Sequence, residues 1–271
     1  MDNERSAARE PWGEVTCRYG ASPTFVRGPE VPLDGPYSVV LGGSEVFGRD
    51  VADPFTAMLA RRTGRRIVNL GVMNAGLDVF VRDEALLQVA AGAEVAVIQA
   101  LGAQGLSNRF YTVHPRRNDR FLRQSEKLAT LYPEVDFTEF TFVRHLLVTL
   151  RARCPVRFEE VAAELRLAWI ARMRQLTAAL SGRRILLDVR LSYERGLGPE
   201  PFLVNGDMIG LLRDGVDEVV SCDVTALTPK RTTGPGATGT PTTPRLPTAA
   251  GHEAIAAALA GAVGRRDGLA A

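Results

Sequence analysis

Cysteine is scarce: Cys17, Cys154 and Cys222 stand far apart in 271 residues, with no C-x-x-C pairing. That excludes a disulfide scaffold or a structural zinc cluster and suits a reducing compartment. Long apolar runs are missing as well. No stretch approaches the ~18–20 apolar residues of a membrane span, and the opening Met1-Asp2-Asn3-Glu4-Arg5 carries no apolar signal region. No excess of one charge exists either: 33 basic and 31 acidic side chains leave a net of +2. Any charged partner must therefore be met by a local patch, which argues against nucleic acid and membrane surfaces. The three histidines are widely spaced, so no metal-ligand motif forms. No Gly-Lys-Ser/Thr follows Gly234-Pro235-Gly236, and Gly-x-Gly-x-x-Gly is absent after the first strand, which removes NTPase and dinucleotide readings. The expectation is a soluble, cytoplasmic globular protein without cofactor or metal.

What is present is an alternation of strands and helices. Continuous apolar runs at 37–41, 66–71, 94–101, 185–189 and 218–222 read as buried strands. Between them, helical periods are read at 55–62, 82–92, 158–180, 208–213 and 251–263. The longest carries Val161, Leu165, Trp169, Leu176 and Leu180 on one face before Ser181-Gly182. The pattern predicts an α/β protein with a flavodoxin-like three-layer parallel sheet of about five strands, in the order 2-1-3-4-5. Residues 1–35, broken by Pro11, Pro23, Pro29 and Pro32, read as an irregular N-terminal arm; residues 36–271 read as a single α/β domain. Within it, 103–157 reads as a helical insertion without an obvious strand, in which Asp136 caps the helix carrying Phe140, Val143 and Leu147. The Thr/Pro/Gly-rich stretch at 228–248 reads as a flexible loop.

In such a sheet ligands bind beyond the carboxyl ends of the strands, where the strand order reverses. Three small-residue loops converge there: Gly42-Gly43-Ser44, Gly71 through Asn74 to Gly76, and Gly102-Ala103-Gln104-Gly105 running on to Asn108. Glycines let backbone N–H groups approach a ligand, and a hydroxyl or amide beside them can meet an oxyanion. Ser44 serves equally as a nucleophile or as a helix N-cap.

This order of loops resembles the SGNH, or GDSL-like, hydrolases, whose fold is the same sheet and whose members hydrolyse or transfer acyl groups. The resemblance implies Ser44 as nucleophile, Gly76 or Gly71 as an oxyanion N–H, and Gln104 or Asn108 as a side-chain donor. It implies a late histidine as base. Here Leu246 stands at the place of the family's catalytic histidine and Thr243 at that of its aspartate, so His252, which follows Gly251 at the helix entry, or His114 would have to act instead. The segments Asn69-Leu70-Gly71 through Asp78 and Ser107 through Phe121 also resemble an uncharacterised bacterial family of domains of unknown function.

The stretch from Asn108 to Arg123 alternates Arg109, Arg116, Arg117, Arg120 and Arg123 with Phe110, Tyr111, His114 and Phe121. Guanidinium forks bind phosphate, sulfate or carboxylate at two points and stack on rings. Arg109, Arg116, Arg117 and His114, with Asn74 and Gly71, are thus the candidate substrate-binding residues. Two functions follow. One is a serine hydrolase or acyltransferase acting on an ester of a polar small molecule or glycan with a negative group. The other is a catalytically silent binding protein for an anionic saccharide or a protein partner.

Overall fold

The five apolar runs form one parallel sheet. A computed structural model describes residues 15–191, 197–228 and 246–265. Strands β1 (Ser38–Gly42), β2 (Ile67–Gly71), β3 (Val95–Gln99), β4 (Arg183–Arg190) and β5 (Glu218–Asp223) lie in the order β2-β1-β3-β4-β5, every neighbour parallel. Every residue of β1, β2 and β3 is buried, whereas the edge strand β5 is largely half-buried or exposed. Continuous burial is why these strands read as unbroken apolar runs and not as an alternation.

Helices α1 (Ser44–Phe47), α2 (Phe55–Thr63), α3 (Leu77–Arg82), α4 (Glu84–Ala91), α5 (Glu126–Leu131), α6 (Val143–Arg153), α7 (Pro155–Ala178), α8 (Gly206–Gly210) and α9 (Ala249–Gly264) connect and cover the sheet. Successive side chains of a strand part to opposite faces. Val39 and Leu41 therefore pack with Phe80, Leu86 and Trp169 on one side, while Val40 packs with Phe55, Leu59, Ile255 and Leu259 on the other. This is the flavodoxin-like three-layer arrangement. Helix α7 starts with Pro155 in its first turn, where the missing N–H costs nothing, and buries Phe158, Val161, Leu165, Trp169, Met173 and Leu176 at helical spacing. The Trp169 side chain is fully buried, and its indole N–H donates to the Leu101 carbonyl at 2.6 Å.

The insertion at 103–157 differs from the expectation in two respects. Besides α5 and α6 it holds an antiparallel ribbon, Tyr111–Val113 with Phe121–Gln124. Strands of three and four residues are too short for a period of two to show in a sequence. Asp136 caps a 3-10 turn at Phe137–Glu139, accepting from the Thr138 N–H, and α6 begins later, at Val143. In the N-terminal segment, Thr16–Cys17 pairs with Val26–Arg27, and Tyr19 and Val26 are buried in the core. The Arg27 guanidinium, 7% exposed, donates to the carbonyls of Phe47, Gly48, Val51 and Ala52. Of the stretch expected to be a loop at 228–248, residues 229–245 lie outside the described residues. Among the described residues, no helix is long and apolar enough to cross a membrane.

Candidate functional site

The carboxyl ends of β1, β2 and β3 open onto a cavity of about 220 Å³ at the point where strand order reverses. Ser44 opens α1 directly after β1 and lines it. Its hydroxyl accepts a hydrogen bond from the Asn74 backbone N–H at 3.0 Å and donates to Asn74 Oδ1 at 3.4 Å. Asn74 adopts φ 56°, a left-handed conformation that asparagine tolerates better than most residues. That turn aims the Asn74 N–H at the serine.

Carboxyl and amide groups set the chemistry of this cavity. The Gln99 amide is fixed at both ends: Oε1 accepts from the Gly43 N–H at 2.9 Å, and Nε2 donates to Glu45 at 3.1 Å. Burial pushes the Glu45 carboxyl up, and the charge of Glu200 adds to that. Glu200 itself pairs with Arg144 at 2.8 Å and accepts the Phe202 N–H at 2.8 Å. Burial also raises the Asp119 carboxyl, against the pull of Arg120. Two acceptors lining the cavity, Asp119 Oδ1 and Gln104 Oε1, are buried without a hydrogen-bond partner. Such atoms are rare in folded proteins.

The sequence-derived candidates divide into three groups. Ser44, Asn74 and Gln104 share the cavity. Gly76 is next to it, but its N–H is committed to Asn118 Oδ1 at 2.8 Å, and a Cβ there would run into the Gly105 carbonyl oxygen. Gly71 donates its N–H to Asn69 Oδ1 at 2.8 Å, and its missing side chain lets the backbone of Phe47 cross close above it. Asn108 closes a local turn: Oδ1 accepts from the N–H groups of Phe110 and Tyr111, and Nδ2 donates to the Leu106 carbonyl at 2.8 Å. These three are absent from the cavity lining.

His252 packs on the opposite face of the sheet, against α2. It is 1% exposed, Nδ1 accepts the Phe55 N–H at 3.1 Å, and its ring stacks on that of Phe55. Burial, with the nearby Arg27 charge, pushes its pKa down to about 4, so it is a neutral packing residue near pH 7. His114 does not line the serine cavity either; its Nδ1 accepts the backbone N–H groups of Arg116 and Arg117, both at 3.2 Å. With Arg116 and Arg117 it lines a second cavity of about 960 Å³, which shares Asn74 and Asp119 with the first. Arg109 pairs with Glu164 at 2.6 Å and lines neither. Among the described residues, no three His, Cys, Asp or Glu side chains gather as a metal site.

A family model described as "Domain of unknown function (DUF6473)" matches residues 1–267. The chain belongs to this family. No curated protein matches the sequence. A solved structure similar to this DUF6473 chain, "Salicylyl-Acyltransferase SsfX3 from a Tetracycline Biosynthetic Pathway", is 14% identical with a TM-score of 0.37. The match covers 87% of this chain and 55% of that one, so the chain spans about half of that protein's length.

Sequence reasoning missed Asn118, Glu45 and the Arg144–Glu200 pair of this candidate site. Glu45 had a signal, since it follows Ser44 directly. Asn118 had none: its role depends on a contact across 42 positions of chain. Arg144 and Glu200 meet only because α6 and the segment after β4 close over the same strand ends.

Proposed function

We propose that the chain is a binding protein on an SGNH-like scaffold, taking a polar ligand that carries a negative group, such as an anionic saccharide. The surroundings of the Ser44 hydroxyl carry this reading. The groups that hold it are the N–H and Oδ1 of Asn74, and both candidate histidines are engaged elsewhere through Nδ1. A serine hydroxyl without a base is a poor nucleophile near neutral pH but a good hydrogen-bonding group. Ser44, Asn74 and Gln104 line a cavity with hydroxyl and amide groups for a polar ligand, and Arg116 and Arg117 supply donors for the negative group.

A second reading keeps the acyl chemistry. It is favoured by Asp119, a carboxyl with a raised pKa and an unpartnered oxygen in the cavity that Ser44 lines. In that scheme Asp119 takes the proton as Ser44 Oγ bonds to an ester carbonyl carbon, and returns it to the departing oxygen as the ester C–O bond breaks, so that an alcohol leaves and an acyl-serine remains. Water or an acceptor alcohol then releases the acyl group.

A fluorophosphonate probe on the purified protein, with Ser44→Ala beside it, separates the two. The binding reading expects no Ser44-dependent labelling, and saturable binding of an anionic disaccharide by calorimetry that weakens in Arg116→Ala. Labelling that vanishes in Ser44→Ala and falls in Asp119→Asn overturns it in favour of the enzyme.

A further inference from the structure

The two cavities differ in charge and meet at one wall. The smaller is lined by three carboxyl groups, Glu45, Asp119 and Glu200, against one guanidinium, Arg144. The larger is lined by four guanidinium groups, Arg49, Arg116, Arg117 and Arg120, of which Arg49 pairs with Asp50 at 2.7 Å, and by the single carboxyl of Asp119. Asn74 and Asp119 belong to both linings. A ligand reaching from one to the other must therefore change character along its length.

Each part of that ligand is set by what lines its place. At about 220 Å³ the smaller cavity has room for one ring-sized group, and its lining of hydroxyl, amide and carboxyl side chains suits a group rich in hydroxyls. Phosphate there would face three carboxyls and is disfavoured; a neutral polyol is not. The turn at 114–117 is built for anions in the larger cavity. His114 Nδ1 is occupied by two backbone N–H groups, so a neutral ring carries its proton on Nε2 and donates, beside Arg116 and Arg117. Apolar side chains also line the larger cavity, among them Phe25, Val72, Met73, Phe121 and Leu122, with Phe25 42% and Leu122 52% exposed. At about 960 Å³ it lies at the upper end of ligand-pocket sizes, far beyond the needs of a single phosphate.

We infer that the ligand is a sugar joined through phosphate to an apolar or aromatic body, with the sugar beside Ser44 and Gln104, the phosphate at Arg116 and Arg117, and the body against Phe25 and Leu122. The inference rests on the saccharide-binding reading above and names the substrate class of that same site. The chemistry is shared by nucleoside diphosphate sugars and by lipid-linked sugar phosphates.

Calorimetry with uridine diphosphate glucose, uridine diphosphate, farnesyl phosphate, glucose and a sulfated disaccharide tests it. Uridine diphosphate glucose is expected to bind at least tenfold more tightly than uridine diphosphate, and more weakly as salt rises. Arg116→Ala should weaken both about tenfold, whereas Gln104→Ala should weaken the sugar-bearing compound and leave uridine diphosphate unchanged. Binding of farnesyl phosphate in place of the nucleotide, with the same dependence on Arg116, supports the inference and assigns the body to a lipid. Binding of the sulfated disaccharide with every phosphate inert overturns it and leaves the saccharide reading standing. Silence of all five probes overturns both. Arg116 is an exposed loop residue, so its replacement leaves folding intact, and thermal unfolding of the variant checks this.

Discussion

The backbone N–H of Gly76 donates to the side-chain oxygen of Asn118 at 2.8 Å, joining the turn after β2 to the tip of the ribbon 42 residues later. Asn118 is fully buried, and its Nδ2 also donates to the His114 carbonyl at 2.9 Å. One side chain thus fixes the loop that carries Arg116 and Arg117 on one side and Asp119 on the other. The wall between the two cavities depends on it.

Asn118→Ala leaves the Gly76 N–H buried and unsatisfied, a loss of about 1–3 kcal/mol. Denaturant titration should show the unfolding free energy falling by that amount. Amide exchange should quicken across 111–124 while the central strands keep their protection. An unchanged ribbon would refute the clamp.

Gly76→Ala acts by steric conflict instead. The new methyl meets the Gly105 carbonyl, which belongs to fixed backbone, so the turn must move. Overpacking of this kind costs about 1–3 kcal/mol. The two substitutions disturb one contact, so the double variant should fall short of the sum of the singles. Full additivity would show that the positions are not coupled.

His252 makes stability depend on pH. Its folded pKa of about 4 lies below the ordinary histidine value of 6.5, so the unfolded chain binds the proton more readily. Stability from this group is therefore complete above pH 6.5 and declines as pH falls toward 4. The total loss is about 3 kcal/mol at most. Unfolding midpoints measured across that window should drop less steeply in His252→Gln than in the wild type. Equal slopes would show that His252 does not titrate this way.

Arg27→Met removes the donor to four carbonyls at the end of α1 and beyond, in a place with little access to water. The expected loss is on the order of 3 kcal/mol, since hydrogen bonds to a charged donor are the stronger kind. Thermal unfolding measures it. A Tm within a degree of wild type would mean that the carbonyls find other partners.

Much of the architecture is legible in the sequence because it follows from short-range chemistry. Val39-Val40-Leu41 and Val95-Ala96-Val97-Ile98 are apolar on both faces, and only a covered parallel strand uses that pattern. Trp169 and its neighbours at helical spacing mark α7 equally well. The site is legible in part: Ser44, Asn74 and Gln104 fall together because loops at one end of a parallel sheet must converge. His252 illustrates the limit. A histidine at a helix entry looks the same in sequence on either face of the sheet, and only the packing of α9 against α2 puts it beside Phe55. The ribbon at 111–124 is not legible in the sequence, because its strands are short and their partners lie across an arginine-rich loop.

The indole of Trp169 gives the protein a built-in optical reporter. Its N–H holds the carbonyl of Leu101, a residue in the wall of the smaller cavity, so a change inside that chamber reaches the ring through one hydrogen bond. The sequence holds one other tryptophan, Trp12. With Trp12 replaced by phenylalanine, the emission spectrum reads the interior beside Ser44 without any added dye.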